Sequence, residues 1–203
     1  ADGAGGSDDF GVELEALRTA KKLLEHVPSS MGDGHLGQLL PPLWELLTRG
    51  LAHFECNVLT DGGHESSEGY ASDGEGQGFE ELIVQSLDLL TGIAACDEPR
   101  VSTLLGGEGA GLGPLLAVVI RYMQLAALHE AMWQESPNDF VAEEDHEGYP
   151  MGTRSAGIAL VRELCISFPE KVVPALISEV KVALADPSGG FQGLTREASA
   201  NIA

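Results

Sequence analysis

Apolar residues recur every three or four positions through most of the chain, a spacing typical of amphipathic helices. The second predicted helix opens at Pro41-Pro42, because the first turn of a helix tolerates proline well. No segment shows the apolar–polar alternation of a half-buried strand, so the fold is predicted to be all-α. Seven helices are predicted, at residues 10–27, 41–58, 79–93, 114–133, 153–168, 172–185 and from 194 onward.

Two of these helices begin with similar sequences. Thr153-Arg-Ser-Ala156 and Thr195-Arg-Glu-Ala198 are 42 residues apart, within the roughly 40–47 residues of a HEAT-type repeat. Helices two and three, four and five, and six and seven then form consecutive hairpins, whose apolar faces are buried when they stack. Residues 10–203 are therefore predicted to form a HEAT-repeat α-solenoid of stacked antiparallel helix pairs.

The ends of the chain complete this interpretation. Residues 1–9 are rich in Gly and Asp and are predicted to be a disordered or loop lead. The first helix is interpreted as the second half of a truncated repeat. Because the sequence ends within a helical pattern, we expect the chain to be a fragment of a longer superhelix.

Two acidic segments interrupt the helical pattern, at about residues 60–78 and 135–150. No Lys or Arg occurs between Arg121 and Arg154. In the predicted register both segments are loops between the two helices of one repeat, so they emerge from one edge of the solenoid. Uncompensated carboxylates on a rigid frame favour a positively charged partner.

The overall charge supports the same preference. The net charge is -21, with 11 Lys and Arg residues, which argues against direct nucleic-acid binding and against an anionic membrane surface. No charge-free apolar run reaches the roughly 18 residues needed to span a bilayer. A second interpretation stays open, in which the charge serves only solubility.

Metal, cofactor and disulfide chemistry is not predicted. The loop at Asp73 and Glu75 resembles the start of a calcium loop, but its twelfth position is Val84 instead of a bidentate Glu. His53 and Cys56 are helical neighbours without a second pair of zinc ligands. The chain has three cysteines, a small and odd number that does not indicate a disulfide framework. This cysteine content favours a reducing compartment.

Enzymatic activity is not predicted either. Glu143 and Glu144 lie in a hydrophilic segment, where hydrated carboxylates are poor acid–base catalysts. Ser155 has no nucleophile-elbow context. Trp133 and Phe140 flank the start of the second acidic segment, as anchors either for a partner or for the loop itself. We favour the second role, in which buried aromatic area holds the loop on the solenoid.

Several motifs together resemble the middle part of a karyopherin-β (importin-β) nuclear transport receptor. The resemblance runs from about Leu39 to the C-terminus. Its motifs are LPPLWELLT, SDGEGQGFEELI, VIRYMQL, Trp133 followed by PNDFV and an acidic cluster, and a helix opening with Thr-Arg-x-Ala.

The resemblance implies a HEAT superhelix that shuttles between cytoplasm and nucleus and carries basic cargo such as core histones and ribosomal proteins. It also implies regulation by the Ran GTPase and weak contacts with phenylalanine-glycine repeats of the nuclear pore. An acidic loop of this family contacts Ran or cargo. The matching residues here are Glu143, Glu144, Asp145 and Glu147, with Asp73 and Glu75 as a secondary acidic loop.

Three departures from the family pattern bear on this expectation. The acidic run is shorter than in close relatives and is broken by His146, and the loop 61–78 is Gly-rich and of unusual composition. We also expect this chain to lack the N-terminal repeats that form most of the family's Ran site. The competing hypothesis is a HEAT-repeat scaffold or acidic histone chaperone that works without Ran.

Overall fold

The computed structural model describes residues 10–27, 33–57, 78–96, 111–125, 127–144 and 152–185. None of these residues forms a strand, so the all-α prediction is confirmed for this part of the chain. Its helices are α1 Gly11–His26, α2 Asp33–Asn57, α3 Phe79–Ala95, α4 Leu112–Tyr122, α5 Ala127–Glu135, α6 Pro137–Glu144, α7 Thr153–Ser167 and α8 Pro169–Ala185.

Six of the helices form two stacked layers. In the first layer α1 packs on α3 and α3 on α7; in the second α2 packs on α4 and α4 on α8. The layers are joined where α2 meets α3, α4 meets α7, and α7 meets α8. Each helix pair therefore contacts its neighbours in chain order, which is the packing of a HEAT-like helical solenoid.

The core is continuous between the layers and almost wholly aliphatic. Its fully buried side chains include Leu14, Leu47, Phe54, Ile83, Leu87, Leu89, Ile93, Leu116, Tyr122, Leu160 and Leu164. The Tyr122 hydroxyl donates a hydrogen bond to the Leu47 carbonyl oxygen at 2.8 Å. A Cβ atom on Gly50 would lie 3.0 Å from both Phe79 Cζ and Tyr122 Oη, so α2, α3 and α4 meet at this glycine.

Ion pairs join stacked neighbours in both layers. Lys21 of α1 pairs with Asp88 of α3. In the second layer Arg121 Nη1 of α4 lies 3.1 Å from Glu55 Oε1 of α2. These groups are partly exposed, so each pair adds at most about 1 kcal/mol. The two ion pairs favour one register between neighbouring helices.

The predicted start of the second helix at Pro41-Pro42 is wrong. Helix α2 begins at Asp33 and contains both prolines, which are exposed. The residues before them explain this, because Leu36 is buried and Leu39 and Leu40 pack against the core. Their burial opposes the cost of the two interior prolines, which is roughly 3 kcal/mol for each.

The predicted fourth helix, 114–133, is divided in the structure. Helix α4 ends at Tyr122, where the Met123 amide donates to the carbonyls of both Val119 and Ile120, a tightening common at helix ends. After a turn the chain forms α5.

The predicted acidic loop at 135–150 contains the short helix α6. Asp139 and Phe140 donate their amides to the Ser136 carbonyl at 3.0 and 3.1 Å. Ser136-Pro137 is a recognisable start signal, since serine is favoured at the cap and proline at the first helical position. The predicted lead 1–9 and seventh helix lie outside the described residues.

The environment of Tyr122 gives a testable pH dependence. Burial raises the pKa of its hydroxyl, and the Glu55 carboxylate raises it further. In the unfolded chain tyrosine ionises near pH 10, so the folded state loses stability as pH rises above about 10. Each further pH unit is expected to cost up to about 1.4 kcal/mol until the folded pKa is reached.

We expect Tyr122→Phe to remove this alkaline loss. Urea unfolding at pH 8, 9.5 and 11 should show a steeper decline for the wild type than for the variant. Lys21 also has a raised pKa, chiefly through its hydrogen bond to Asp88, and contributes equally to both proteins. At pH 8 the variant should lose about 1 kcal/mol with the hydrogen bond. Parallel pH curves would contradict the burial of Tyr122.

Candidate functional site

The two acidic segments leave the helical layers at neighbouring points. Helix α2 precedes the first segment and α4 precedes the second. The 3.1 Å pair between Glu55 and Arg121 lies within the last turn of each of these helices. The chain therefore departs from the second layer at adjacent places in the two repeats.

The segments also return at neighbouring points. Gly78 precedes α3 and Gly152 precedes α7, and both have extended backbones. A Cβ atom on Gly152 would lie 3.9 Å from Glu80 Oε1, which places a carboxylate of α3 beside the N-terminus of α7. Since α7 has no acidic residue in its first turn, Glu80 is placed to interact favourably with its helix dipole.

We call residues 58–77 and 126–151, with the helix ends that hold them, the acidic edge. The first segment contains five carboxylates and the second seven, and neither contains Lys or Arg. Charge of one sign attracts oppositely charged partners and speeds their association. The composition of the two segments therefore favours a basic partner.

Helices α5 and α6 form a small hairpin within this edge. Among the described helices, their main packing is against each other. The rings of Trp133 and Phe140 meet edge to face, with centroids 5.4 Å apart and planes at 84°. Phe140 is 6 % exposed, whereas Trp133 is 49 % exposed. The aromatic pair thus joins the two helices while leaving much of the indole accessible.

The structure places the predicted acidic residues unequally. Glu143 and Glu144 are the last two residues of α6. No basic residue lies in that last turn. Carboxylates at a helix C-terminus oppose the helix dipole, so a cation beside them is stabilising. Asp145, Glu147, Asp73 and Glu75 lie outside the described residues.

The described residues include His53 and Cys56, the helical neighbours considered as metal ligands. Among the described residues, no group of three or more His, Cys, Asp and Glu side chains is arranged to hold a metal ion. The His53 ring packs on Phe79 with centroids 4.4 Å apart, while Cys56 is exposed. None of the described helices combines the length and apolar character needed to cross a membrane.

Comparison with known proteins shows a distant similarity that covers most of the chain. No family model matches it. Importin-9 of Drosophila melanogaster is 25% identical to it over 162 residues, which cover 76% of this chain. The same alignment covers 15% of that protein, so the chain spans a small part of its curated relative. At this identity the similarity supports a karyopherin-like relation without indicating a particular member.

Proposed function

We propose that the chain is a segment of a nuclear import receptor that carries basic proteins, such as core histones and ribosomal proteins, through the nuclear pore. The observation that supports the proposal is that two successive repeats each carry an acidic segment without Lys or Arg, and that the helix ends flanking these segments lie side by side. The similarity to Importin-9 supports the same role. This role is binding without catalysis, and it requires no cofactor.

Cargo recognition in this proposal is electrostatic. Each exposed carboxylate–lysine or carboxylate–arginine contact contributes little, at most about 1 kcal/mol. Several such contacts on a pre-formed helical frame add up, because the frame needs little ordering when the partner arrives. Association is then fast and weakens as salt screens the charges.

Release of cargo is assigned to the Ran GTPase. Ran in its GTP-bound state either competes for the acidic edge or changes the curvature of the solenoid, which couples the two binding events. Stacked repeats suit the second route, since small rotations between neighbours accumulate along the superhelix. Weak contacts with phenylalanine-glycine repeats of the pore complete the proposal and imply shuttling between cytoplasm and nucleus.

A binding assay separates this proposal from its alternative. The native protein that carries this chain is incubated with a core-histone dimer, with and without Ran loaded with a non-hydrolysable GTP analogue. We expect histone binding that Ran alters. Histone binding without any association with Ran would support an acidic chaperone or HEAT-repeat scaffold. Failure to bind histones would contradict both.

The exposed indole of Trp133 gives a second test. The indole is 49 % exposed, and Glu130 lies one helical turn before it. Trp133→Ala is expected to weaken binding of an arginine-rich cargo peptide about fivefold, by about 1 kcal/mol, through loss of a cation–π contact. Fluorescence anisotropy with labelled peptide measures the change.

Val141→Ala is the matched control for this test, because Val141 is similarly exposed on the same hairpin but has no aromatic face. The control should bind within twofold of wild type. Equal losses in the two variants would indicate general apolar contact, and no loss in either would exclude Trp133 from the interface.

A further inference from the structure

The C-terminal end of α4 is held from two sides. On the side of α2, the hydrogen bond from Tyr122 to Leu47 and the ion pair of Arg121 hold the last turn of the helix. On the side of α7, the partly buried Met123 side chain lies against Gly157. Helix α4 therefore ends at a fixed place between a helix of its own layer and a helix of the other layer.

The contact between Met123 and Gly157 depends on the missing side chain of the glycine. A Cβ atom on Gly157 would lie 2.6 Å from Met123 Cγ and 3.4 Å from Met123 Sδ. Cβ atoms essentially never approach another heavy atom more closely than 3.0 Å, so any larger residue here displaces Met123. Glycine within a helix is less favourable than alanine. Helix α7 thus gives up intrinsic stability at the position that receives Met123.

The chain leaves α4 directly at this contact. The Met123 amide donates to the carbonyls of Val119 and Ile120, at 3.0 and 3.2 Å. The helix stops there, and only residues 123–126 lie between α4 and α5. Among the described helices, α5 and α6 pack mainly against each other. At its N-terminal end, the position of the α5–α6 hairpin therefore depends on how Met123 is held.

We propose that Met123 and Gly157 are positioning residues, which set the direction in which the α5–α6 hairpin leaves the second layer. They act through the turn at 123–126 and not by contact with cargo. With Met123 packed on Gly157, the turn is held in place and the hairpin is pre-formed for its partner, so little ordering is needed on binding. The effect on cargo binding rests on the proposed function, in which the hairpin belongs to the acidic edge.

Amide hydrogen exchange in the free native protein tests the contact itself. Gly157→Ala displaces Met123, so exchange across 127–144 should become several-fold faster, while exchange across 79–95 of α3 stays within about twofold of wild type. Met123→Ala removes the same contact from the other side and should have a similar effect on 127–144. The double variant should exchange no faster than either single variant, because both substitutions remove one interaction.

Val119→Ala is the matched control for this experiment. Val119 is fully buried one helical turn before Met123, and its Cγ1 lies 3.5 Å from the position of a Cβ on Gly157. Its truncation weakens packing between α4 and α7 without freeing the turn, so exchange across 127–144 should stay near that of wild type. An unchanged hairpin in Met123→Ala, an equal response in Val119→Ala, or faster exchange spread equally over 79–95 and 127–144 would overturn the proposal.

Binding of a core-histone dimer tests the consequence for cargo. We expect Gly157→Ala and Met123→Ala each to raise Kd about fivefold, since the hairpin must then be ordered on binding. Neither substitution changes a charge, so the dependence of Kd on salt should match that of wild type. Faster hairpin exchange with an unchanged Kd would overturn the role in cargo binding. A wild-type protein that binds no histone would contradict the proposed function, whereas the exchange experiment would still decide whether Met123 and Gly157 hold the hairpin.

Discussion

Replacing Gly50 with valine is expected to lower the free energy of unfolding by about 3 kcal/mol, the upper part of the usual range for overpacking a core. A Cβ atom at this position lies 3.0 Å from Phe79 Cζ, 3.0 Å from Tyr122 Oη and 3.1 Å from Ile83 Cδ1. These side chains are buried and come from two different helices, so they cannot all retreat. Urea unfolding followed by circular dichroism at pH 7 measures the loss.

Gly37→Val is the matched control, since Gly37 lies in the same helix and a Cβ atom there meets nothing within 4 Å. Valine is a slightly better helix former than glycine, so this variant should change stability by less than about 0.5 kcal/mol. A comparable loss in the two variants would mean that helix propensity, not the meeting of α2, α3 and α4, governs the response.

Reversing the charges of Glu143 and Glu144 to lysine is expected to weaken histone binding about thirtyfold, or by about 2 kcal/mol, near 0.1 M salt. The double variant changes the local charge by four units at the C-terminal end of α6. It replaces attraction with repulsion toward Lys and Arg side chains of the cargo. Fluorescence anisotropy with a labelled core-histone dimer measures the change in Kd.

The control double variant is Glu13→Lys with Glu170→Lys, which alters net charge equally at exposed residues of α1 and α8. It should weaken binding much less if recognition is local to the acidic edge. The difference between the two variants should shrink near 0.5 M salt, because the Debye length there is only about 5 Å and interactions between exposed charges are strongly screened. Equal weakening would show that only the overall charge matters.

Helical periodicity predicted the central elements well because each has one strongly apolar side. Helix α3 was expected at 79–93 and extends over Phe79–Ala95. Helix α7 was expected at 153–168 and extends over Thr153–Ser167. Helix α3 lies in the middle of the first layer and α7 packs on it with a buried apolar side, so in both helices the pattern of apolar residues and the tertiary packing favour the same structure.

The start of α2 shows where local signals fail. Pro41-Pro42 is a good helix start by local chemistry, yet Leu36 lies upstream and is buried. Burial depends on distant helices, which a local pattern does not include. Helix α6 is the opposite case, in which the local start signal was correct but was not followed. Ser136-Pro137 is typical of a helix start, whereas the acidic composition around it indicated a loop.

The repeat register predicts that both acidic segments emerge at one edge, and this stays a prediction for the segments themselves. The structure shows that the helix ends flanking them are adjacent, at Glu55 and Arg121 and at Glu80 and Gly152. These particular contacts depend on how the repeats stack, so the sequence could not specify them. Nor could it distinguish Phe140, which is buried, from Trp133, which stays accessible.

The central claim, that the acidic edge binds cargo, is tested most directly by mapping which residues of the native protein a basic cargo protects. Amide hydrogen exchange is measured across the protein with and without a saturating core-histone dimer. We expect slower exchange in residues 127–144 of the acidic edge and no change on the outer face of α1 around Val12. Protection confined to other surfaces, with residues 127–144 unaffected, would contradict the proposal that the acidic edge binds cargo.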